Sequence, residues 1–296
     1  MAPTTWSTWA DAPNEESGSA ILDSVNNDGT SITWIEANWM FLAWAGALFG
    51  LGILVARINQ RDAFWYGWLA LVMYLFHQSE EHAYDFRGWR YAFVPHLNAG
   101  IGKTLFSSLC TDGQAACPVD PKVGLYINTI MIWVGFAGCM LAAHVYPERF
   151  LLAGSLCWGT AVVNGLGGHV LPAVVGLVTH SRELVQALVF VPALRAVLPA
   201  LLSQIYNPGL VQSLVMVPLG IVIIRASGKP WLCVANGLGA HVIGLGVGIN
   251  VMYRAHLPEA PATIFFNLLG GLVLPLSISW YLRPHSADTY KELLSV

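Results

Sequence analysis

The sequence predicts an all-α protein, a polytopic transmembrane helix bundle of about seven spans plus one interfacial or re-entrant helical segment. Two observations carry that expectation. Only 10% of the 296 residues are charged, 55% are hydrophobic and mean hydropathy is +0.57, whereas a soluble domain carries about 25% charged residues. Several apolar runs also reach roughly twenty residues, the length that crosses about 30 Å of hydrocarbon. A net charge of −3, with no basic patch or base-stacking platform, speaks against nucleic acid as a partner.

Residues 1–34 contain no Lys or Arg and read as a polar extramembrane arm. They lack the basic start and apolar core of a cleaved signal peptide. Residues 35–282 form the transmembrane helical domain, with spans at 35–56, 63–84, 123–145, 151–177, 209–224, 231–250 and 263–282. The segment 184–205 is apolar, but Arg195 falls near its centre and Pro192 and Pro199 interrupt it. An unpaired arginine at mid-bilayer is costly, so this segment is placed in the interface or re-entering, the alternative being an eighth span. Seven spans gather Arg57, Arg61, Arg149, Arg225, Lys229, Arg283 and Lys291 on one side, the cytoplasmic one by the positive-inside bias. The N-terminus is then lumenal, in an endoplasmic-reticulum-type membrane. In the same arrangement Arg87, Arg90, Lys103, Lys122, Arg182 and Arg254 face the lumen. Cys110 and Cys117 share a polar loop, where they either pair in an oxidising lumen or remain free thiols. Residues 283–296 are a C-terminal tail.

One stretch breaks the apolar pattern. "LVMYLFHQSEEHAYDF", residues 71–86, runs from a lipid-like segment into five ionisable groups. At 100° per residue His77, Glu80 and Glu81 fall within about 100° of one another. Tyr84 and Asp85 extend the same stripe, and His82 points away. Spacings of three and four residues let side chains of one helix meet, and a carboxylate with an imidazole at such spacing is how helical bundles hold metals. A solvated helix end is the plainer alternative. Two adjacent glutamates and a histidine are more costly than such an end requires, and ionisable groups inside a membrane are functional candidates.

"NGLGGHV" at 164–170 returns as "NGLGAHV" at 236–242, and "SRELVQALVFVP" at 181–192 as "NPGLVQSLVMVP" at 207–218. The glycines offer thin faces for close helix packing. Asn164 and Asn236 read as buried amides, and His169 and His241 sit at similar depth to the polar stripe. His180 with Arg182 and Glu183, and His256 with Glu259, read as local or solvated groups. His144 and His285 read as interfacial. Trp65, Trp68, Trp89 and Trp133 could wall an apolar pocket.

His77-Gln78-Ser79-Glu80-Glu81 resembles the signature of the HXXEE family of polytopic membrane proteins, and "YNPGLV" at 206–211 is similar to that family's layout. The resemblance covers roughly residues 40–282. The doubled NGLGxH motif, His82 and Asp85 depart from it. It implies a metal-dependent enzyme. More loosely, size and span count are similar to small membrane hydrolases and cyclases of fungal natural-product pathways, which open epoxides or cyclise polyketides and terpenoids.

The expected function is therefore an integral membrane enzyme opening a C–O bond, by hydrolysis or cyclisation of an epoxide-like group, in a lipophilic polyketide- or terpenoid-like molecule. Its catalytic residues would be His77, Glu80, Glu81, His169 and His241, with Tyr84, Asp85, Asn164 and Asn236 binding substrate. Paired carboxylates in a low dielectric split their pKa values and so supply an acid and a base. The alternative is a divalent metal, Zn²⁺ or Fe²⁺, held by some of His77, Glu81, His169 and His241. No GxGxxG turn or P-loop points to a nucleotide. The partners expected are the bilayer and a lipophilic small molecule. His77 and Glu81 should face a cavity also lined by His169 or His241, and Glu80→Gln and Glu81→Gln should each abolish activity. A small-molecule or proton-coupled transporter, a lipid-binding protein and an accessory subunit are the competing classes.

Overall fold

Each of the first long helices begins where the sequence offers a cap. In the computed structural model, which describes residues 15–102, 106–109, 117–186, 202 and 205–282, a short α1 (Glu15–Leu22) precedes α2 (Trp34–Ala56). Thr33 and Glu36 close a reciprocal capping box at the start of α2, satisfying two backbone donors that lipid cannot. Helix α3 (Ala63–His82) starts on Asp62, whose carboxylate accepts the Trp65 N–H at 2.8 Å. Helix α4 (Pro121–Val145) starts on Asp120, with Pro121 in its first turn. Then come α5 (Pro147–Thr179), α6 (Leu210–Ala226), α7 (Pro230–Arg254) and α8 (Glu259–Tyr281). The central part of segment 184–205, Cys110, Lys103, Arg195, His285 and the tail 283–296 lie outside the described residues.

Among the described residues five helices, α2, α4, α5, α7 and α8, are long and apolar enough to cross a membrane by length and composition. They mark the chain as a multi-pass membrane protein. The other two spans read from the sequence correspond to α3, 20 residues with a polar end, and α6, 17 residues. Among the described residues there is no sheet, only the isolated bridges Val25–Ser31 and Tyr84–Arg90. Cys117 is disulfide-bonded, and Cys139, Cys157 and Cys233 are free and buried.

Helix α3 is the centre of the bundle, packed by α2, α4, α5 and α6. Helices α5 and α7 approach most closely, because Gly159 lies against the Cys233 backbone and Gly237 against that of Gly159. Small residues at a crossing bring backbones together where lipid supplies no hydrophobic drive. Four helices are interrupted by a π-helical turn: Thr129–Val134 in α4, Gly165–Val170 in α5, Val242–Val247 in α7 and Leu269–Val273 in α8. Each such turn shifts the side-chain register of the residues beyond it.

Candidate metal centre

The polar end of α3 is its most enclosed part. His77 and Gln78 are 0% exposed, Glu81 3% and His82 1%, so these groups face the bundle interior and not headgroups. His77 Nε2 lies 3.2 Å from Glu81 Oε1, and His169 Nε2, from the π-helical turn of α5, lies 3.1 Å from the same oxygen. One donor atom each from His77, Glu81 and His169 falls within 4.8 Å of the others. These three residues could hold a metal ion.

The surrounding hydrogen bonds decide which atoms face inward. His169 Nδ1–H donates to Asn207 Oδ1 at 2.9 Å, while Asn207 Nδ2–H donates to the His169 carbonyl at 3.1 Å. That fixes the proton on Nδ1 and leaves Nε2 a lone pair. Among the described residues His169 Nε2 has no hydrogen-bond partner, buried though it is and 3.1 Å from Glu81 Oε1. His77 Nε2 accepts from Asn164 Nδ2–H at 2.8 Å, and its Nδ1 faces Ser213 Oγ at 3.4 Å. The Ser213 hydroxyl donates onward to the Gly209 carbonyl at 2.7 Å, so it accepts from Nδ1–H. The His169 Nε2 lone pair and a Glu81 oxygen therefore face each other with no proton assigned between them, while the His77 Nε2 lone pair, 3.2 Å from the same oxygen, accepts from Asn164 and would exchange that amide for an ion. Such a set fits a cation, and backing each imidazole N–H with an acceptor is how proteins orient metal-binding histidines.

The chain between α5 and α6 closes the site. Gly209 has a φ of +90°, and a Cβ there would stand 2.7 Å from His169 Cε1 and 2.8 Å from His77 Cε1. Only glycine adopts that conformation without strain and lets backbone rest on both rings.

Glu80 does different work from its neighbour. It accepts the Tyr206 O–H at 2.8 Å, the Val211 N–H at 3.2 Å and the Gln212 N–H at 2.9 Å. The last two are the opening donors of α6, which has no side-chain cap of its own. Burial and the adjacent Glu80 charge push the Tyr206 phenol up, so it remains a donor to Glu80.

The remaining residues singled out in the sequence separate. Asn164 joins the cluster through His77. His241 donates Nδ1–H to the Gly237 carbonyl of its own helix at 2.7 Å and is outside the three-residue group. Asn236 holds α7 to α5 through the Leu156 carbonyl at 3.1 Å. The helix ends at His82, with Ala83 at ψ −83°, so the helical stripe does not continue to Tyr84 and Asp85. Tyr84 is exposed, and Asp85 pairs with Arg87 at 2.7 Å. His82, expected to point away, is buried with Nε2 3.7 Å from Glu81 Oε2, because a central helix meets neighbours on every face. Its Nδ1 has no partner, and its ring lies 5.0 Å from Trp39 and 5.6 Å from Phe93. Phe93 in turn lies 5.5 Å from the His169 ring. Cavities of about 60 and 490 Å³ lie toward the other end of α3, and neither is lined by His77, Glu81 or His169.

Sequence reasoning missed Asn207 and Ser213. An asparagine ahead of Pro-Gly and a long apolar run was the signal that could have found the first, because a polar amide there needs a partner once the turn is buried. A family model described as protein of unknown function with HXXEE motif matches residues 68–223, more than half of the chain. No curated protein and no solved structure matches it.

Proposed function

The chain belongs to the HXXEE-motif family of proteins of unknown function, and from that premise we propose that it is an integral membrane enzyme opening a C–O bond in a lipophilic small molecule. The bond is epoxide-like and the outcome hydrolysis or cyclisation. The observation that supports the proposal is the convergence of two imidazole Nε2 atoms on one carboxylate oxygen in a buried site. His77, Glu81 and His169 would hold a divalent ion, and two histidines with one carboxylate suit Zn²⁺ or Fe²⁺. When bound, the ion supplies Lewis acidity toward an oxygen and acidifies water.

The chain's own residues do the rest. Asn207 and Ser213 fix the two imidazoles, and Asn164 steadies His77. His82 Nε2 stands 3.7 Å from the second Glu81 oxygen and its Nδ1 is buried without a hydrogen-bond partner among the described residues, so that the neutral ring would relay a proton, taking at Nε2 the one Glu81 receives and giving the Nδ1 proton to the oxygen of the opening ring. The attacking hydroxyl, from water or from the substrate itself, forms the new C–O bond as the old one breaks and passes its proton to Glu81. Protons lost and gained balance, and no redox partner is required. Trp39 and Phe93 would present an apolar, aromatic wall to an unsaturated substrate entering from the bilayer. With seven crossings and a lumenal N-terminus, in an endoplasmic-reticulum-type membrane, this site would lie toward the lumenal side.

Elemental analysis of the purified protein is expected to give one divalent ion per chain. Incubation with a panel of lipophilic epoxides in ¹⁸O-labelled water should give labelled diol for hydrolysis or unlabelled cyclic ether for cyclisation. Unchanged epoxide across the panel, from metal-loaded protein, overturns this reaction.

A further inference from the structure

The larger cavity, about 490 Å³, is separate from the metal centre and lies between the end of α2 and the beginning of α3. Its volume is in the range of small-molecule sites, about 300–1,000 Å³. Its lining on α2 runs from Gly46 to Arg57 and on α3 from Leu75 back to Asp62. At 1.5 Å per residue each wall is about 17–20 Å long, close to one leaflet of a hydrocarbon core about 30 Å thick.

The two ends differ in chemistry. The deep end is floored by Gly46, Gly50, Val72 and Leu75, where a Cβ on Gly50 would stand 2.7 Å from Val72 Cγ2. There the α2 backbone comes close to Val72 through Gly50, and the cavity lining runs from that contact to Arg57 and Asp62. Exposed Phe49 and Ile53 form its lipid-side edge. The mouth carries Arg57, Gln60 and His144. His144 Nε2 accepts the Trp68 indole N–H at 2.9 Å, which puts the ring proton on Nδ1. Arg57 makes no ion pair with any described residue. The one acid at the mouth, Asp62, already caps α3 through the Trp65 N–H.

We propose that this cavity binds a long-chain anionic amphiphile, with one apolar chain along the α2–α3 trough and the anionic head on Arg57. A leaflet-length apolar slot ending in hydrogen-bond donors and a cation matches that chemistry at both ends. Arg57 and Arg61 also belong to the side assigned as cytoplasmic, where membranes are richest in anionic lipid. The site is independent of the triad, because its lining shares no residue with it.

The test is native mass spectrometry of the full-length protein in neutral detergent, titrated separately with oleate, dioleoyl phosphatidylglycerol and dioleoyl phosphatidylcholine. One molecule of oleate or of phosphatidylglycerol should saturate the protein, whichever saturates identifying a free carboxylate or a phospholipid as the source. Phosphatidylcholine should bind about tenfold more weakly, a difference of about 1.4 kcal/mol. Arg57→Glu should weaken the anionic ligand by about tenfold or more, while Arg61→Glu, outside the lining, should leave it unchanged. Ile53→Trp, which fills the slot, should abolish the saturable site at an unchanged unfolding temperature. Equal affinity for phosphatidylcholine, equal effects of the two arginine variants, or undiminished binding by Ile53→Trp would each overturn the proposal. Glu81→Gln should bind the amphiphile normally, so failure of the metal assignment and failure of this one are separately visible.

Discussion

Glu80 and Glu81 are adjacent, alike in chemistry and both buried, yet they should fail in opposite ways. Glu80 is held by one phenol and two backbone N–H groups at the start of α6. A hydrogen bond to a charged group is worth about 1.5–3 kcal/mol, and a helix cap about 0.5–2 kcal/mol. These overlap, so Glu80→Ala is expected to cost about 4 kcal/mol in all. Glu80→Gln retains one carbonyl oxygen and should cost about half that, on the order of 2 kcal/mol. For a chain of this size 1 kcal/mol moves the midpoint by about 2–4 °C, so Glu80→Ala should melt about 10 °C early. Glu81→Gln removes the carboxylate between the two imidazole Nε2 atoms while preserving volume. It should remain folded and lose its metal. Intrinsic fluorescence during heating in detergent reads the first quantity, and elemental analysis of the same samples reads the second. If Glu80→Gln melts like the parent, or Glu81→Gln retains a full complement of metal, the division of labour between the two glutamates is wrong.

Three more outcomes are expected from the same geometry. Gly209→Ala puts a methyl against both imidazoles at a φ of +90°, and should cost about 2–4 kcal/mol in thermal unfolding and weaken metal retention. Asn207→Leu leaves the His169 N–H without its acceptor. A metal-chelator competition titration should show affinity falling about 10–100-fold, and an unchanged value would remove Asn207 from the site. Burial, partly opposed by a hydrogen bond to the Ala92 carbonyl, pushes the His96 imidazole down to about 4. Its folded pKa is below the unfolded 6.5, so the stability it contributes is present above about pH 6.5 and lost as pH falls toward 4. Lowering the pH from 7 to 5 should therefore cost up to about 2 kcal/mol through this group, and His96→Gln should flatten that part of the profile of unfolding temperature against pH.

How much of this could be read from the chain differs by element. The apolar helices were legible because length and hydropathy are properties of each segment alone. The polar tail of α3 was legible as an anomaly, and i, i+4 spacing is enough to bring His77 and Glu81 together. Spacing could not separate Glu80 from Glu81, since what distinguishes them is the start of α6, more than a hundred residues later. It misdirected His82, Tyr84 and Asp85 for two reasons. A central helix has no outward face, and an ideal helix extrapolated beyond His82 ignores the break at Ala83. The twin motifs are the clearest case. In the first, the π-helical turn spans Gly165–Val170 and includes His169; in the second it begins at Val242, just after His241. Near-identical letters thus emerge in different registers, and only His169 reaches Glu81.

The central place of α3 also bears on how the protein reaches its membrane. A carboxylate near the end of a span opposes lateral release into lipid, by less than the about 2.5–3.5 kcal/mol of one at mid-bilayer, and this helix carries two, Glu80 and Glu81. Its companions for those charges come late in synthesis: His169 in α5, then Tyr206, Val211 and Gln212. A nascent chain that has made only α2 and α3 has nothing beyond His77 and His82 with which to neutralise them. Helix α3 is therefore expected to linger at the insertion machinery until α6 has emerged, and chains truncated before residue 206 should be found with α3 still accessible to water-soluble thiol reagents at an introduced cysteine.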